Sequence, residues 1–277
     1  MISFPNCKIN IGLQVLNKRD DGYHNIETVF YPLPIKDALE IIPSSAIEFT
    51  ATGLPIDISI EDNLCIKAYH LLKKDFPKIP FVKIHLHKAI PMGAGLGGGS
   101  ADAAFMLMLL NDKLKLNITT AKLIAYALQI GSDCPFFIIN KPCIATGRGE
   151  NLKEINFTLA GYKIILINPR IHINTGWAFS QLAKQIHDGN SKNALGNSIN
   201  KIIEQPVDSW KSLLVNDFET PVFTAYPQIK EIKETLYKMG ALYAAMSGSG
   251  STVYGIFNST IDTTIFEKQN YFIKTVN

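Results

Sequence analysis

The sequence lacks the features that mark several common classes of protein. Its four cysteines, Cys7, Cys65, Cys134 and Cys143, form no CxxC pair and have no histidine at zinc-ligand spacing, which argues against a metal site and suits a reducing compartment. No run of about 18 apolar residues occurs, as a membrane-spanning helix would need. The first residues also lack a basic segment ahead of an apolar core. We therefore expect a soluble, cytoplasmic protein without a signal peptide.

The sequence also lacks an excess of either positive or negative charge. The 27 Lys and Arg against 24 Asp and Glu leave a net charge of +3, with no long block of like charges. Neither nucleic acid nor an anionic membrane is indicated as a partner, and nothing indicates an oligomeric state. A length of 277 residues with 47% hydrophobic residues suits two medium-sized globular domains. We predict a boundary near residue 155, with domains at 1–155 and 156–277.

Strand and helix patterns are mixed along the chain, and those of the second half predict a small α+β layer. The strand patterns lie at 1–16, 28–42, 81–87, 162–168, 241–246 and 252–257, and the helix patterns at 101–111, 119–129 and 229–239. The polar stretch 189–200 predicts a surface loop. In the 81–87 strand, Lys83, His85 and His87 share one face. This face is more simply explained by exposure to solvent than by a metal site, because no carboxylate accompanies the three residues.

A glycine-rich turn lies between the 81–87 strand and the 101–111 helix. Five glycines here let the backbone approach a ligand closely, and the first turn of the helix presents free N–H groups at the positive end of its dipole. This combination binds phosphate. Ser100 is placed as the N-cap of the helix. The residues that we predict to contact a nucleotide are Pro91, Met92, Gly93, Ala94, Gly95, Leu96, Gly97, Gly98, Gly99, Ser100 and Ala101.

Two better-known phosphate motifs fit this turn poorly. The P-loop pattern requires a lysine after the glycines, and none follows. Gly93, Gly95 and Gly98 match a dinucleotide fingerprint formally, but the acidic residue expected about 20 positions later is missing from 116–120. A dinucleotide-dependent oxidoreductase therefore remains only as a weaker alternative.

The run PMGAGLGGGSADAA resembles the phosphate-binding motif of the GHMP kinases, which phosphorylate small alcohols such as galactose, homoserine and mevalonate. Residues 245–252, AMSGSGST, resemble the third motif of the same family. The resemblance implies ATP and Mg²⁺ as cofactors. It also implies a two-domain α+β architecture, with an N-terminal domain like ribosomal protein S5 and a C-terminal ferredoxin-like domain.

Four further segments resemble family members whose substrate is a cytidyl diphosphate sugar alcohol. They are PNCKIN at 5–10, DGYH at 21–24, GSDCPFF at 131–137 and GRGE at 147–150, all in the family's order. The resemblance implies phosphorylation of such a small molecule. Another GHMP kinase activity and a non-catalytic nucleotide-binding protein remain as alternatives.

Two charged residues are the candidates for catalysis. Asp133 lies on a loop between Gly131 and Pro135, where a turn-forming aspartate is the alternative reading. Lys8 lies in an otherwise apolar strand, where an outward-facing lysine is the alternative. The resemblance implies that Asp133 is the base and that the charge of Lys8 stabilises the developing alkoxide. Cys7 departs from the small residue usual in the family.

The resemblance also implies the residues that bind the alcohol substrate. Tyr23 and Phe179 would sandwich the cytosine, His24 would hydrogen-bond its edge, and Thr175 would lie nearby. Asn10 would orient the hydroxyl, and Ser247 and Gly248 belong to the second glycine turn. The sequence offers no convincing carboxylate ligand for Mg²⁺, so we assign no metal ligand.

Overall fold

A computed structural model describes residues 1–56, 58–187 and 198–277 of the chain. Most of the predicted 189–200 loop lies outside these residues. The strands are β1 Ile2–Ser3, β2 Asn6–Lys18, β3 His24–Lys36, β4 Ala38–Pro43, β5 Glu48–Gly53, β6 Val82–Lys88, β7 Cys143–Thr146, β8 Asn151–Glu154, β9 Lys163–Asn168, β10 Tyr243–Met246, β11 Val253–Phe257 and β12 Phe272–Val276. The helices are α1 Leu64–Asp75, α2 Gly98–Lys113, α3 Thr120–Ile130, α4 Cys134–Ile139, α5 Thr175–His187, α6 Ile199–Ile203, α7 Trp210–Leu213, α8 Glu219–Ala225, α9 Pro227–Lys238 and α10 Thr264–Glu267, with a 3-10 turn at Val207–Ser209. Within the described ranges, no helix is long and apolar enough to cross a membrane.

The first of two compact units comprises Met1–Lys8, Pro32–Met92 and Gly97–Lys141. Its sheet has the order β1-β4-β6-β5, in which β5 runs parallel to β6 and the other pairs are antiparallel. Strand β6 shows the predicted alternation, since Val82, Ile84 and Leu86 are buried and the residues between them are not. These side chains share one apolar core with helices α1, α2 and α3.

The second unit comprises Ile9–Tyr31, Gly93–Leu96 and Pro142–Asn277. Its antiparallel sheet has the order β10-β11-β9-β12. Helix α9 buries Ile229, Ile232 and Leu236, whose spacing of three and four places them on one face, against this sheet's core. The remaining sheet has the order β2-β3-β7-β8.

These units interleave along the chain and therefore differ from a single division at residue 155. Residues 6–8 of β2 and 32–36 of β3 count with the first unit, and the rest of both strands counts with the second. Residues 93–96 of the glycine turn likewise count with the second unit, whereas its two ends count with the first. The boundary near residue 155 stays a prediction.

Helix α2 begins earlier than predicted, and the assignment of Ser100 as its N-cap was wrong. The N-cap is Gly97, whose φ of 70° is left-handed, and the Ala101 N–H donates to the Gly97 carbonyl at 2.9 Å. Glycine adopts this conformation without the steric cost of a Cβ. Gly98, Gly99 and Ser100 therefore form the first turn, where their N–H groups have no acceptor within the helix.

Candidate active site

Lys8 and Asp133 form an ion pair in the first unit. The Nζ atom of Lys8, on β2, lies 3.3 Å from Oδ2 of Asp133. The lysine side chain is only 4% exposed, whereas the aspartate side chain is 34% exposed. A buried cation thus faces a carboxylate that solvent and a ligand can reach.

Asp133 lies immediately before α4, a short helix that the sequence reading missed. Pro135 occupies the first turn of α4, and the Asp133 side chain accepts no capping hydrogen bond from that turn. The alternative role of Asp133 as a local turn former therefore gains no support from the helix that follows it. The proline and the six-residue length explain why the helical pattern was too short to detect.

An asparagine pair links the two chain segments that carry this ion pair. Asn140 ends α4 in the left-handed region with a φ of 53°, and its Nδ2 donates to Oδ1 of Asn6 at 2.8 Å. Asn6 Nδ2 in turn donates to the Cys7 carbonyl at 3.0 Å. No local pattern predicts this contact, because the two residues lie 134 positions apart.

In the second unit, the middle of the glycine turn is held by the second glycine-rich motif. The Ser247 hydroxyl donates to the Gly95 carbonyl at 2.8 Å, and the Thr252 N–H donates to the Ala94 carbonyl at 3.2 Å. The backbone N–H of Asn10 donates to the same Ser247 hydroxyl at 3.1 Å. The structure therefore brings together Asn10, Ser247 and the middle of the predicted phosphate loop, at Ala94 and Gly95.

Asn216 supports the second glycine motif and was missed from the sequence. Its buried Nδ2 donates to the carbonyls of Met246, at 2.7 Å, and Gly248, at 2.8 Å. Both bonds hold the turn that begins at Ser247. A lone asparagine 30 to 32 residues away carries no recognisable pattern for this role.

A small, mostly apolar pocket with about 20 Å³ of open space lies beside the first turn of α2, within the first unit. Its apolar walls come from Ile56, Leu64, Leu86 and Met92, and Gly99 lines it as well. Asn63 and Asp102, both buried, line it as well. Such a lining is typical of ligand sites, but the open space has the size of a single water molecule.

The structure pairs the predicted base-binding residues differently from a simple sandwich. The rings of His24 and Phe179 stack with centroids 5.0 Å apart and planes 12° apart. Tyr23 is exposed, and the Arg148 guanidinium lies 4.7 Å from its ring centroid. Thr175 Oγ1 lies 2.9 Å from the Ser249 hydroxyl. The Tyr23 and Phe179 sandwich stays a prediction.

The electrostatic surroundings of His24 favour its neutral form. Partial burial, and then the positive charge of Lys18, lower the pKa of His24 below its usual value. A neutral imidazole offers one donor and one acceptor, which suits recognition of a base edge.

Comparison with known proteins identifies the family. The GHMP kinases N terminal domain model matches residues 63–141, and the GHMP kinases C terminal model matches residues 198–266. A 4-diphosphocytidyl-2-C-methyl-D-erythritol kinase of Parabacteroides distasonis is 51% identical over 98% of this chain and 96% of its own length. The chain belongs to the GHMP kinase family. A relative of the same name from Cytophaga hutchinsonii is 52% identical over 95% of this chain and 94% of its own length.

Solved structures agree with this GHMP kinase assignment. A 4-(cytidine 5'-diphospho)-2C-methyl-D-erythritol kinase superposes with a TM-score of 0.79 at 27% identity, covering 100% of this chain and 99% of that chain. The Methanococcus jannaschii mevalonate kinase, at 13% identity, shares the fold with a TM-score of 0.73, covering 99% of this chain and 97% of that chain. The predicted α+β, two-domain GHMP kinase fold is confirmed. Enzymes of this family use ATP and act on small molecules, whereas the roles of individual residues stay predictions.

Proposed function

We propose that this chain transfers the γ-phosphoryl group of ATP to the 2-hydroxyl of 4-diphosphocytidyl-2-C-methyl-D-erythritol, giving the 2-phosphate and ADP. The observation that carries the proposal is 51% identity over 98% of the chain to a kinase named for that substrate. The segments PNCKIN, DGYH, GSDCPFF and GRGE, on which the substrate resemblance rests, extend along the chain from residue 5 to residue 150. A cytoplasmic location and a place in the non-mevalonate isoprenoid pathway belong to the same proposal.

Asp133 is the proposed general base. Its half-exposed carboxylate accepts the proton of the 2-hydroxyl as the hydroxyl oxygen bonds to the γ-phosphorus and the bond to the bridging oxygen of ADP breaks. Lys8 places a positive charge 3.3 Å from that carboxylate, where it favours negative charge on the attacking oxygen. Asp133 thus supplies the proton acceptor, and Lys8 supplies electrostatic stabilisation.

The glycine turn is the proposed triphosphate site. The free N–H groups of the first turn of α2 and the positive end of its dipole attract phosphate oxygens. Left-handed glycines keep side chains out of the space that the phosphates need. The apolar side chains of Leu64 and Met92, which line the pocket beside Gly99, are the proposed contacts of the adenine base.

Magnesium is the proposed metal of the ATP complex. Among the residues that the structure describes, no three His, Cys, Asp or Glu side chains gather into a metal cluster. Mg²⁺ usually keeps several waters and takes substrate phosphates as ligands, so a phosphate loop without a carboxylate cage fits an ion carried by ATP. When bound, the ion neutralises charge on the β- and γ-phosphates.

An acceptor panel tests the proposed substrate. ADP formation is measured with ATP, Mg²⁺ and, in turn, the cytidyl diphosphate alcohol, mevalonate, homoserine and galactose. We expect turnover with the cytidyl compound alone. Turnover with another alcohol would favour a different GHMP kinase, and ATP binding without turnover on any alcohol would favour a non-catalytic protein.

The stacked His24 and Phe179 rings give a prediction for base recognition. Replacing Phe179 with leucine should raise the KM for the cytidyl substrate about tenfold, because base stacking on an aromatic ring is lost. The KM for ATP should stay unchanged. Phe223→Leu, which alters a half-buried aromatic of the same core, is the matched control. Equal effects of the two variants on the KM for the cytidyl substrate would remove Phe179 from the base site.

A further inference from the structure

Three charged side chains form a buried cluster in the first unit. Asp37 lies between β3 and β4, Lys88 ends β6, and Asp102 lies on α2, and each is at most 2% exposed. The Lys88 ammonium donates to Oδ2 of Asp37 at 2.5 Å and to Oδ2 of Asp102 at 2.7 Å. One cation therefore joins two carboxyl groups that stand on separate elements.

The cluster contacts the chain on both sides of the glycine turn. Oδ1 of Asp37 accepts hydrogen bonds from the backbone N–H groups of Ala89, at 2.6 Å, and Ile90, at 2.9 Å. These two residues come directly before Pro91, where the turn begins. On the other side, Asp102 lies in α2, four residues after its first residue, Gly98.

Gly98 itself packs against the cluster. A Cβ atom at this position would lie 3.3 Å from Nζ of Lys88 and 3.0 Å from Cγ2 of Ile90. The start of α2 therefore packs against the Lys88 ammonium group and against Ile90, whose backbone N–H donates to Asp37. Residues on both sides of the turn therefore contact this cluster.

Stability alone explains such a cluster poorly. Buried ion pairs lose so much hydration that apolar replacements of similar volume are often neutral or stabilising. Two carboxyl groups around one lysine also leave an excess of negative charge whenever both are ionised. A cluster of this kind suits a geometric role, since its hydrogen bonds fix directions that apolar packing leaves free.

We propose that Asp37, Lys88 and Asp102 are positioning residues that hold the two ends of the glycine turn at the spacing that the triphosphate requires. This inference rests on the proposed role of the turn in binding ATP. None of the three needs to touch a phosphate, because they act through the backbone at 89–90 and through the first turn of α2.

Binding of ATP in the absence of any acceptor tests the proposal, because it does not depend on which alcohol is the substrate. Asp102→Asn keeps the shape of the side chain and removes its charge, and Asp37→Asn does the same on the other side. We expect each to weaken ATP binding by calorimetry about tenfold, as expected for a disturbed buried charged hydrogen bond. In turnover assays the KM for ATP should rise by a similar factor, with the KM for the alcohol unchanged.

Tyr126→Phe is the matched control. It removes the hydrogen bond from the Tyr126 hydroxyl to Asp75, 2.5 Å long, in the same unit and away from the turn. This variant should lose stability and keep wild-type ATP affinity. If the cluster variants behave like Tyr126→Phe, the positioning role is wrong. Absence of ATP binding in the wild type would instead overturn the proposed function. If Asp37→Asn fails to fold, the ATP affinity of Asp102→Asn alone tests the positioning role.

The same cluster predicts a pH dependence of stability. Burial raises the pKa of Asp102 to about 7, with the charge of Lys88 opposing this shift and that of Asp37 adding to it. Asp37 receives three donors, whereas Oδ1 of Asp102 has no hydrogen-bond partner among the described residues, so Asp102 is the carboxyl that takes the proton. Lys88 stays charged, because the two carboxylates outweigh the effect of burial and raise its pKa. The thiol of Cys65, on α1, faces the cluster with its pKa also raised by burial.

A carboxyl whose pKa is raised in the folded state stabilises the fold at low pH and loses that contribution as the pH rises through the folded pKa. Between pH 5 and pH 8, the urea midpoint of the wild type should therefore fall relative to that of Asp102→Asn, which cannot ionise. Paired urea titrations at the two pH values measure this. An equal difference at both values would show that Asp102 does not hold the proton.

Discussion

Asp133→Asn is expected to lower kcat by roughly 10²–10⁴-fold, the range that a general base contributes. The amide has nearly the size of the carboxylate, but it cannot accept the proton of the attacking hydroxyl. The variant also removes the negative charge 3.3 Å from the buried Lys8. Binding of ATP and of the alcohol should change far less than kcat, because the loss lies mainly in the transition state.

Rapid-quench and steady-state assays with the cytidyl substrate measure this effect, and circular dichroism checks the fold. Asp112→Asn is the matched control, since it makes the same exchange at an exposed position of α2 in the same unit. The control should turn over at the wild-type rate. Full turnover by Asp133→Asn would remove Asp133 from the mechanism and leave positioning and charge neutralisation as the source of catalysis.

Gly95→Ala is expected to abolish most ATP binding and to destabilise the second unit. Gly95 has a φ of 77°, and a Cβ atom there would collide with the backbone carbonyl oxygen of Ser247. The left-handed conformation alone costs a residue with a Cβ about 1–2 kcal/mol. The collision adds to this, because the carbonyl belongs to the turn that holds the Gly95 carbonyl through Ser247.

Gly99→Ala provides the comparison within the same run of glycines. A Cβ atom at Gly99 would meet its nearest neighbours, in Leu64 and Met92, at 3.8 Å, an ordinary contact distance. Thermal unfolding should therefore show a lower Tm for Gly95→Ala than for Gly99→Ala, and calorimetry should show weaker ATP binding. Equal Tm values would mean that the turn reshapes freely and that its glycines are not required by geometry.

Structural features that depend on neighbouring residues in the sequence could be predicted. The glycine turn, the strand before it and the helix after it follow from glycine spacing and from the alternation of Val82, Ile84 and Leu86. The family resemblance rested on the same short motifs, and the comparisons confirm it. The start of α2 was misplaced because Ser100 is a common capping residue, whereas a left-handed Gly97 ends the turn without any side-chain bond.

Features that depend on distant partners could not be predicted. Asn216 holds the second glycine turn from 30 to 32 residues away, and Asn140 bonds to Asn6 across 134 residues. Lys88 reads as one more residue on an alternating strand, and only the folded chain places it between Asp37 and Asp102. Polar residues of this kind carry no periodicity, so their roles emerge only when the elements pack.

The position of the transferred phosphate shows whether the 2-hydroxyl is the acceptor. In 4-diphosphocytidyl-2-C-methyl-D-erythritol, C2 carries a methyl group and no hydrogen, so a phosphate on its oxygen has no proton on the ester carbon. The product of the reaction with ATP is examined by proton-coupled ³¹P NMR. We expect a new phosphomonoester resonance without splitting by a carbinol proton, together with one ADP per product. A resonance split by such a proton, or no new phosphomonoester while ATP is bound, would contradict the proposed reaction.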